Sequence, residues 1–118
     1  MIHRLVENRA LDLATKFPAI SITGPRQSGK TTLARQAFPS YDFVSFEDPE
    51  NRDLFERDPR SFLARYRSHV IFDEAQRVPE LLSYLQGIID EDDEPGSFVI
   101  TGSQNFLLLN MVSQSLAG

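Results

Sequence analysis

The chain has 118 residues, of which 41% are hydrophobic, so it is long enough to bury the core of one small domain. It contains no cysteine, which excludes disulfides and thiolate metal sites, and no apolar run approaches the roughly 18 residues of a membrane-spanning helix. With a net charge of −5, this fragment gives no indication of nucleic-acid binding. No signal-peptide core is present at its N-terminus, and a cytoplasmic location with no membrane partner is predicted.

Apolar residues at helical and strand-like spacing predict helices and strands that alternate along the chain. Two Asp-Pro pairs, at 48–49 and 58–59, each predict the start of a short helix, because Asp caps a helix and Pro suits its first position. In chain order the predicted elements are an N-terminal helix at 2–17, strand one at 19–23, a helix at 30–38, strand two at 42–46, the two short helices, strand three at 69–73, a helix at 79–90, strand four at 97–101 and a final helix at 106–116. This alternation predicts an α/β fold with a parallel sheet.

The segment after strand one, residues 24–31, reads Gly-Pro-Arg-Gln-Ser-Gly-Lys-Thr, a complete Walker A sequence. Its two glycines can adopt backbone angles closed to other residues, so neighbouring N–H groups can turn inward around an anion. Lys30 is predicted to reach the β- and γ-phosphates of a nucleotide, and the Thr31 hydroxyl to bind Mg²⁺. The alternative is a plain glycine-rich turn before a helix. The predicted phosphate-binding residues are Gly24, Pro25, Arg26, Gln27, Ser28, Gly29, Lys30, Thr31 and, as a weaker candidate, Thr32.

A second motif, at 70–74, is the apolar strand Val-Ile-Phe followed by Asp-Glu. Open parallel sheets bind ligands at the carboxyl ends of their strands. Asp73 is therefore predicted to be the Walker B aspartate, which holds Mg²⁺ together with Thr31. Glu74 stands where many ATPases carry the group that orients and polarises the attacking water, so it is predicted to be catalytic. The alternative is an acidic turn after a strand.

A third segment, at 97–103, is predicted to be a strand that ends in small polar residues. In additional-strand ATPases the strand beside the Walker B strand ends with a polar sensor of the γ-phosphate or the water. Ser103 is the first candidate for this sensor and Thr101 the second, and an ordinary helix cap is the alternative for both. Gln76, just after the second motif, either faces the nucleotide or is a polar loop residue.

Four stretches together identify a family: G-P-R-Q-S-G-K-T-T-L from 24, V-I-F-D-E-A-Q-R-V-P-E-L from 70, F-V-I-T-G-S-Q-N-F from 98 and S-Q-S-L-A-G from 113. They resemble a prokaryotic AAA+-like P-loop ATPase family over about residues 4–118. The resemblance implies ATP rather than GTP as the ligand, with Mg²⁺. It also implies the roles given above for Lys30, Thr31 and the two carboxylates.

The resemblance further implies a three-layer α/β/α sandwich in which strand one is followed outward by strands four, three and two. A fifth strand should flank strand one on its other side, and only four strands are predicted. The chain is therefore expected to be a truncated AAA+-like core over residues 1–118, without the fifth strand, the helical lid or an arginine finger. An exposed edge on strand one would favour self-association. Family members usually also carry a C-terminal domain of unknown function, DUF4143.

These features favour ATP hydrolysis by a motor or switch domain of a larger protein. One alternative is a nucleotide-gated binding module with negligible turnover. A small-molecule P-loop kinase is disfavoured by the second carboxylate, Glu74, which simple P-loop kinases usually lack. A helicase of the DEAD-box kind is disfavoured by the flanking sequence and the acidic balance.

Overall fold

A computed structural model describes residues 2–24, 29–103 and 114–116 of the chain. Its helices are α1 (Ile2–Ala14), α2 (Lys30–Ala37), α3 (Pro49–Arg57), α4 (Pro59–Arg65) and α5 (Leu81–Glu91), with a short 3₁₀ turn at Ala75–Arg77. Its strands are β1 (Ala19–Thr23), β2 (Asp42–Ser45), β3 (Val70–Asp73), β4 (Phe98–Gly102) and β5 (Gln114–Leu116). Within the described ranges, no helix is long and apolar enough to cross a membrane.

The strands form one parallel sheet in the order β2-β3-β4-β1-β5. This confirms the predicted α/β fold of the P-loop NTPase type, with β4 and then β3 and β2 placed outward from β1. Because the strands run parallel, the carboxyl ends of β1, β3 and β4 meet at one edge of the sheet. Open α/β sheets bind their ligands in the crevice at this edge.

The prediction that the fifth strand is missing is wrong. Gln114–Leu116 forms a short strand that pairs in parallel with β1, where the sequence predicts the end of a helix. The rest of that predicted helix, residues 106–113, lies outside the described residues. Pairing with β1 satisfies N–H and C=O groups on a strand that is buried along its whole length, which helical periodicity in the sequence does not report. The expected reason for self-association, an uncovered edge on β1, is thereby removed over these residues.

Alternating strand residues feed two apolar clusters, one on each face of the sheet. In β3, Phe72 packs in one cluster and Ile71 in the other, as the two-residue period of a strand requires. The cluster under α3, α4 and α5 is aromatic, with rings of Phe46, Phe55, Phe62 and Phe72 at centroid distances near 6 Å. The opposite cluster packs α1 and α2 against β1, so helices cover both faces and give the three-layer architecture.

Two Asp-Pro pairs begin α3 and α4, as predicted. Asp48 accepts a hydrogen bond from the Glu50 N–H at 2.9 Å, and Asp58 accepts one from the Ser61 N–H at 3.2 Å. Hydrogen bonds from the Ser61 side chain and amide hold the pKa of the Asp58 carboxyl below its ordinary value. The caps fix where the chain turns between β2 and β3.

Candidate functional site

The candidate site lies at the carboxyl edge of the sheet, beside the N-terminus of α2. Ser45 of β2 is level with Asp73 of β3, and Thr23 of β1 is level with Gly102 of β4. The strand ends thus bring polar residues from four segments of the chain together. The side chains at this edge come from separate stretches of the chain, and the pairing of the strands brings them together.

Gly29 makes the turn from the loop into α2. Its φ of 85° and ψ of 8° place it in the left-handed region, where a residue with a Cβ is strained. Its carbonyl accepts the Leu33 N–H at 2.9 Å and so begins the helix. Lys30 and Thr31 follow at the first helical positions, with their side chains at the strand ends. Gly24 is buried at the end of β1, and Pro25, Arg26, Gln27 and Ser28 lie outside the described residues.

Asp73 accepts three hydroxyl hydrogen bonds. Thr31 and Thr101 donate to Oδ1 at 2.7 and 2.8 Å, and Ser45 donates to Oδ2 at 2.8 Å. Asp73 is only 4% exposed, so these donors take the place of water around the carboxylate. Both oxygens are held, and the carboxylate plane is therefore fixed with Oδ1 turned toward Thr31.

Ser45 was missed by sequence reasoning. The local sequence shows only a hydroxyl at the carboxyl end of a predicted strand. Many residues without a functional role stand at such a position, so this signal does not single out Ser45. Once β2 is known to lie beside β3, that hydroxyl becomes a neighbour of Asp73 at the same level of the sheet. A strand order taken from a family resemblance is enough to raise Ser45 as a candidate, but only the side-chain hydrogen bond identifies its partner.

Glu74 has its backbone in the left-handed region, with φ of 57° and ψ of 50°. For a residue with a Cβ this conformation costs on the order of 1–2 kcal/mol. The Glu74 N–H donates to Thr101 Oγ1 at 3.1 Å, which holds the turn in place. The turn directs the side chain toward α2, where Oε2 lies 3.3 Å from Lys30 Nζ. Both side chains are nearly inaccessible, at 5% exposure for Lys30 and 10% for Glu74.

The two sensor candidates occupy different surroundings. Thr101 is fully buried, and its hydroxyl is used by Asp73 and by the Glu74 amide, so it supports the carboxylates from behind. Ser103 is half-buried at the end of the described part of this segment, and its N–H donates to Gln76 Oε1 at 3.3 Å. Ser103 stays a predicted sensor. Thr32 is exposed on α2, and its predicted phosphate contact also stays a prediction.

The donor set fits Mg²⁺. Thr31 Oγ1 and Asp73 Oδ1 are hard oxygen atoms 2.7 Å apart, and Mg²⁺ prefers oxygen ligands from one or two carboxylates completed by phosphates and water. The ammonium of Lys30 stands against two carboxylates, those of Asp73 and Glu74, so a bound cation would bring the net charge of the site closer to zero. Among the described residues no group of three or more His, Cys, Asp or Glu side chains is placed to hold a metal ion.

Thr101 gives a stability prediction with a built-in control. We expect Thr101→Val to destabilise the fold by about 1–3 kcal/mol, because it leaves the Glu74 N–H without its acceptor and removes a donor to Asp73. The unfolding temperature should fall by roughly 4–12 °C, since about 4 °C corresponds to 1 kcal/mol for a domain of this size. Thr101→Ser keeps the hydroxyl and should lose much less. Equal unfolding temperatures for the two variants would contradict this role.

The strand order, the glycine turn into α2 and the two carboxylates at the end of β3 define an α/β domain of the P-loop NTPase type. The chain belongs to the AAA domain family, whose sequence profile matches residues 16–118. Membership of this family indicates nucleotide binding.

Two curated relatives are similar to this chain: the uncharacterized proteins Mb2031c of Mycobacterium bovis and Rv2008c of Mycobacterium tuberculosis. Each is 40% identical over 105 residues, which cover 87% of this chain and 24% of the relative. The chain thus spans about a quarter of the length of the curated relatives that it matches. No solved structure matches the sequence significantly.

Proposed function

We propose that the chain binds ATP and hydrolyses it with Mg²⁺, as the motor or switch domain of a larger protein. One observation carries the proposal: the contact of Lys30 Nζ with Glu74 Oε2 at 3.3 Å, directly beside the Thr31–Asp73 hydrogen bond. These contacts join the start of α2 to the two carboxylates at the end of β3, at the ligand-binding edge of the sheet. The family's indication of nucleotide binding supports the same function.

Phosphate binding falls to the loop and the start of α2. The N-terminal N–H groups of α2 and the buried Lys30 ammonium supply positive charge where the β- and γ-phosphates would lie. The loop residues 24–29 would complete the cradle with backbone N–H groups. Because Lys30 is buried, water solvates its ammonium group poorly, and this group is therefore a strong hydrogen-bond donor to a phosphate oxygen.

Thr31 and Asp73 would hold Mg²⁺, which supplies charge neutralisation at the phosphate oxygens. The chain's contribution is to fix the carboxylate. Ser45 and Thr101 hold Asp73 from two sides, so Oδ1 stays beside Thr31 without a search through rotamers. The Asp73 carboxylate is thus oriented before the nucleotide arrives.

Glu74 is the proposed catalytic carboxylate. Its left-handed backbone and the Thr101 hydrogen bond place it beside Lys30. In this proposal Lys30 contacts the γ-phosphate, so Glu74 would lie close to the attacking water. When the ammonium turns to the phosphate, Oε2 becomes free to accept a hydrogen bond from water. Water then attacks the γ-phosphorus as the bond to the bridging oxygen breaks, giving ADP and phosphate, while Glu74 orients the water and receives its proton.

A nucleotide-gated binding module is the second candidate. The observation that favours it is the engagement of both Glu74 oxygens, by Lys30 at 3.3 Å and by Gln76 at 2.6 Å. If the contact with Lys30 persists with nucleotide bound, the water has no acceptor and turnover is negligible. A location in the cytoplasm, self-association and a C-terminal partner domain belong to the proposal as well.

Phosphate release tests the proposed function directly. The assay compares this chain with the protein at its full natural length, because the curated relatives extend well beyond the matched region. We expect turnover of ATP in the presence of Mg²⁺ and its loss when EDTA removes the metal. Tight binding of ATP without phosphate release would favour the gated module, and transfer of the phosphoryl group to a small-molecule acceptor would favour a kinase.

A further inference from the structure

Gln76 connects the end of β3 to the end of β4. Its Nε2 donates to Glu74 Oε1 at 2.6 Å, and its Oε1 accepts the Ser103 N–H at 3.3 Å. The orientation of the amide is dictated by chemistry, because a carboxylate only accepts and a backbone N–H only donates. A glutamine is the side chain that meets both demands at once, whereas a glutamate here would set two carboxylates against each other.

Gln76 also completes the set of contacts around Glu74. The backbone N–H is held by Thr101, Oε2 faces Lys30, and Oε1 is held by Gln76. Under the proposed function, the phosphate draws Lys30 away and Oε2 loses its partner. Gln76 holds the other oxygen, Oε1, so its hydrogen bond remains as a constraint on the carboxylate.

We infer that Gln76 is a positioning residue, which holds Glu74 through Oε1 so that Oε2 faces the attacking water. It acts on the reaction through Glu74 and does not bind the nucleotide. Through its second hydrogen bond it also ties the position of Glu74 to the backbone of Ser103, the predicted sensor. This inference rests on the proposed hydrolysis. A misplacement of about 1 Å in a catalytic group can cost about 100-fold in rate, so a loss of roughly 10- to 100-fold in kcat is expected without Gln76.

The test uses Gln76→Met, which keeps the volume of the side chain and removes both hydrogen bonds, with Gln76→Ala as the second variant. Gln86→Ala is the matched control, because Gln86 also donates to a carboxylate, Asp90 at 2.9 Å, but on the exposed face of α5. Each variant is made in the full-length protein. The expected result is a kcat lower by 10- to 100-fold for both Gln76 variants, an affinity for Mg²⁺–ATP within about twofold of wild type, and a control that behaves as wild type.

Combination with Glu74→Gln separates positioning from an independent effect. If Gln76 acts through Glu74, Gln76→Met should slow the Glu74→Gln protein no further, so the two losses do not multiply. Multiplying losses, an unchanged kcat, or a loss confined to nucleotide affinity would each overturn the inference.

A second readout does not depend on turnover. In an amide NMR spectrum of the nucleotide-free chain, Gln76→Met should shift the Ser103 resonance, and Gln86→Ala should leave it in place. An unmoved Ser103 resonance overturns the inference alone, whatever the protein does with ATP. A wild-type protein that shows this contact but never releases phosphate overturns the proposed hydrolysis, and with it the positioning role.

Discussion

Replacing Glu74 by Gln is expected to slow ATP hydrolysis by about 10²–10⁴-fold, the usual contribution of a positioned acid–base group. The amide keeps the shape of the side chain and still offers an oxygen to Gln76, which donates to Oε1 at 2.6 Å in the wild type. It takes no proton and polarises water weakly. The loss should therefore lie in kcat and leave nucleotide binding in place.

The same substitution changes the nucleotide-free protein. Lys30 and Glu74 are 5% and 10% exposed, and breaking a buried ion pair costs roughly 3–5 kcal/mol. Glu74→Gln should accordingly lower the unfolding temperature, and saturating Mg²⁺–ATP should restore much of it by giving Lys30 a new partner. Affinity for ATP should be unchanged or higher, since Lys30 no longer has to leave a carboxylate.

Steady-state phosphate release and a fluorescent ATP analogue measure the two effects separately. Glu56→Gln is the control, because it makes the same chemical change on the exposed surface of α3. Turnover by Glu74→Gln at the wild-type rate would remove Glu74 from the catalytic role.

Lys30→Ala is expected to weaken the binding of Mg²⁺–ATP by roughly 10- to 100-fold. Hydrogen bonds between a charged donor and a phosphate contribute about 1.5–3 kcal/mol, which corresponds to that range of dissociation constants. The variant also leaves Glu74 buried without its cation, and the added negative charge near the phosphates acts in the same direction. The expected loss therefore lies toward the upper end.

The other lysine of the chain provides the control. Lys16 is 62% exposed and pairs with Asp12 at 3.2 Å on the surface, a contact of little energetic weight. Lys16→Ala should bind the analogue as wild type does. Lys30→Met, which keeps most of the side-chain volume, should match Lys30→Ala if charge is what matters. Equal affinities for wild type and both Lys30 variants would contradict a phosphate-binding role.

Several features of the molecule follow from short stretches of sequence. The Asp-Pro pairs predict the starts of α3 and α4, because cap and first helical residue are adjacent in the chain. The loop pattern at 24–31 and the carboxylates at 73–74 are equally local, since each motif requires only a strand and a turn. The order of the strands followed from the family resemblance, and the sheet confirms it.

Other features depend on residues that are far apart in the chain. Thr31 meets Asp73 across 42 positions, Ser45 meets it across 28, and Thr101 meets it from the other side across 28. No local pattern marks Ser45, and none indicates that the Thr101 hydroxyl lies between Asp73 and the Glu74 amide. The side of β3 on which each neighbour lies is set by sheet pairing, which a linear motif does not contain.

The sequence by itself determined which chemical groups are present at the site, because the loop glycines, the lysine and the paired carboxylates each belong to a contiguous motif. The tertiary structure decided how they are held. It placed β5 against β1, where backbone pairing outweighed helical periodicity. It set Glu74 in a left-handed turn that directs one oxygen to Lys30 and the other to Gln76. These outcomes depend on the hydrogen-bond demands of neighbouring strands, and those demands exist only once the strands are side by side.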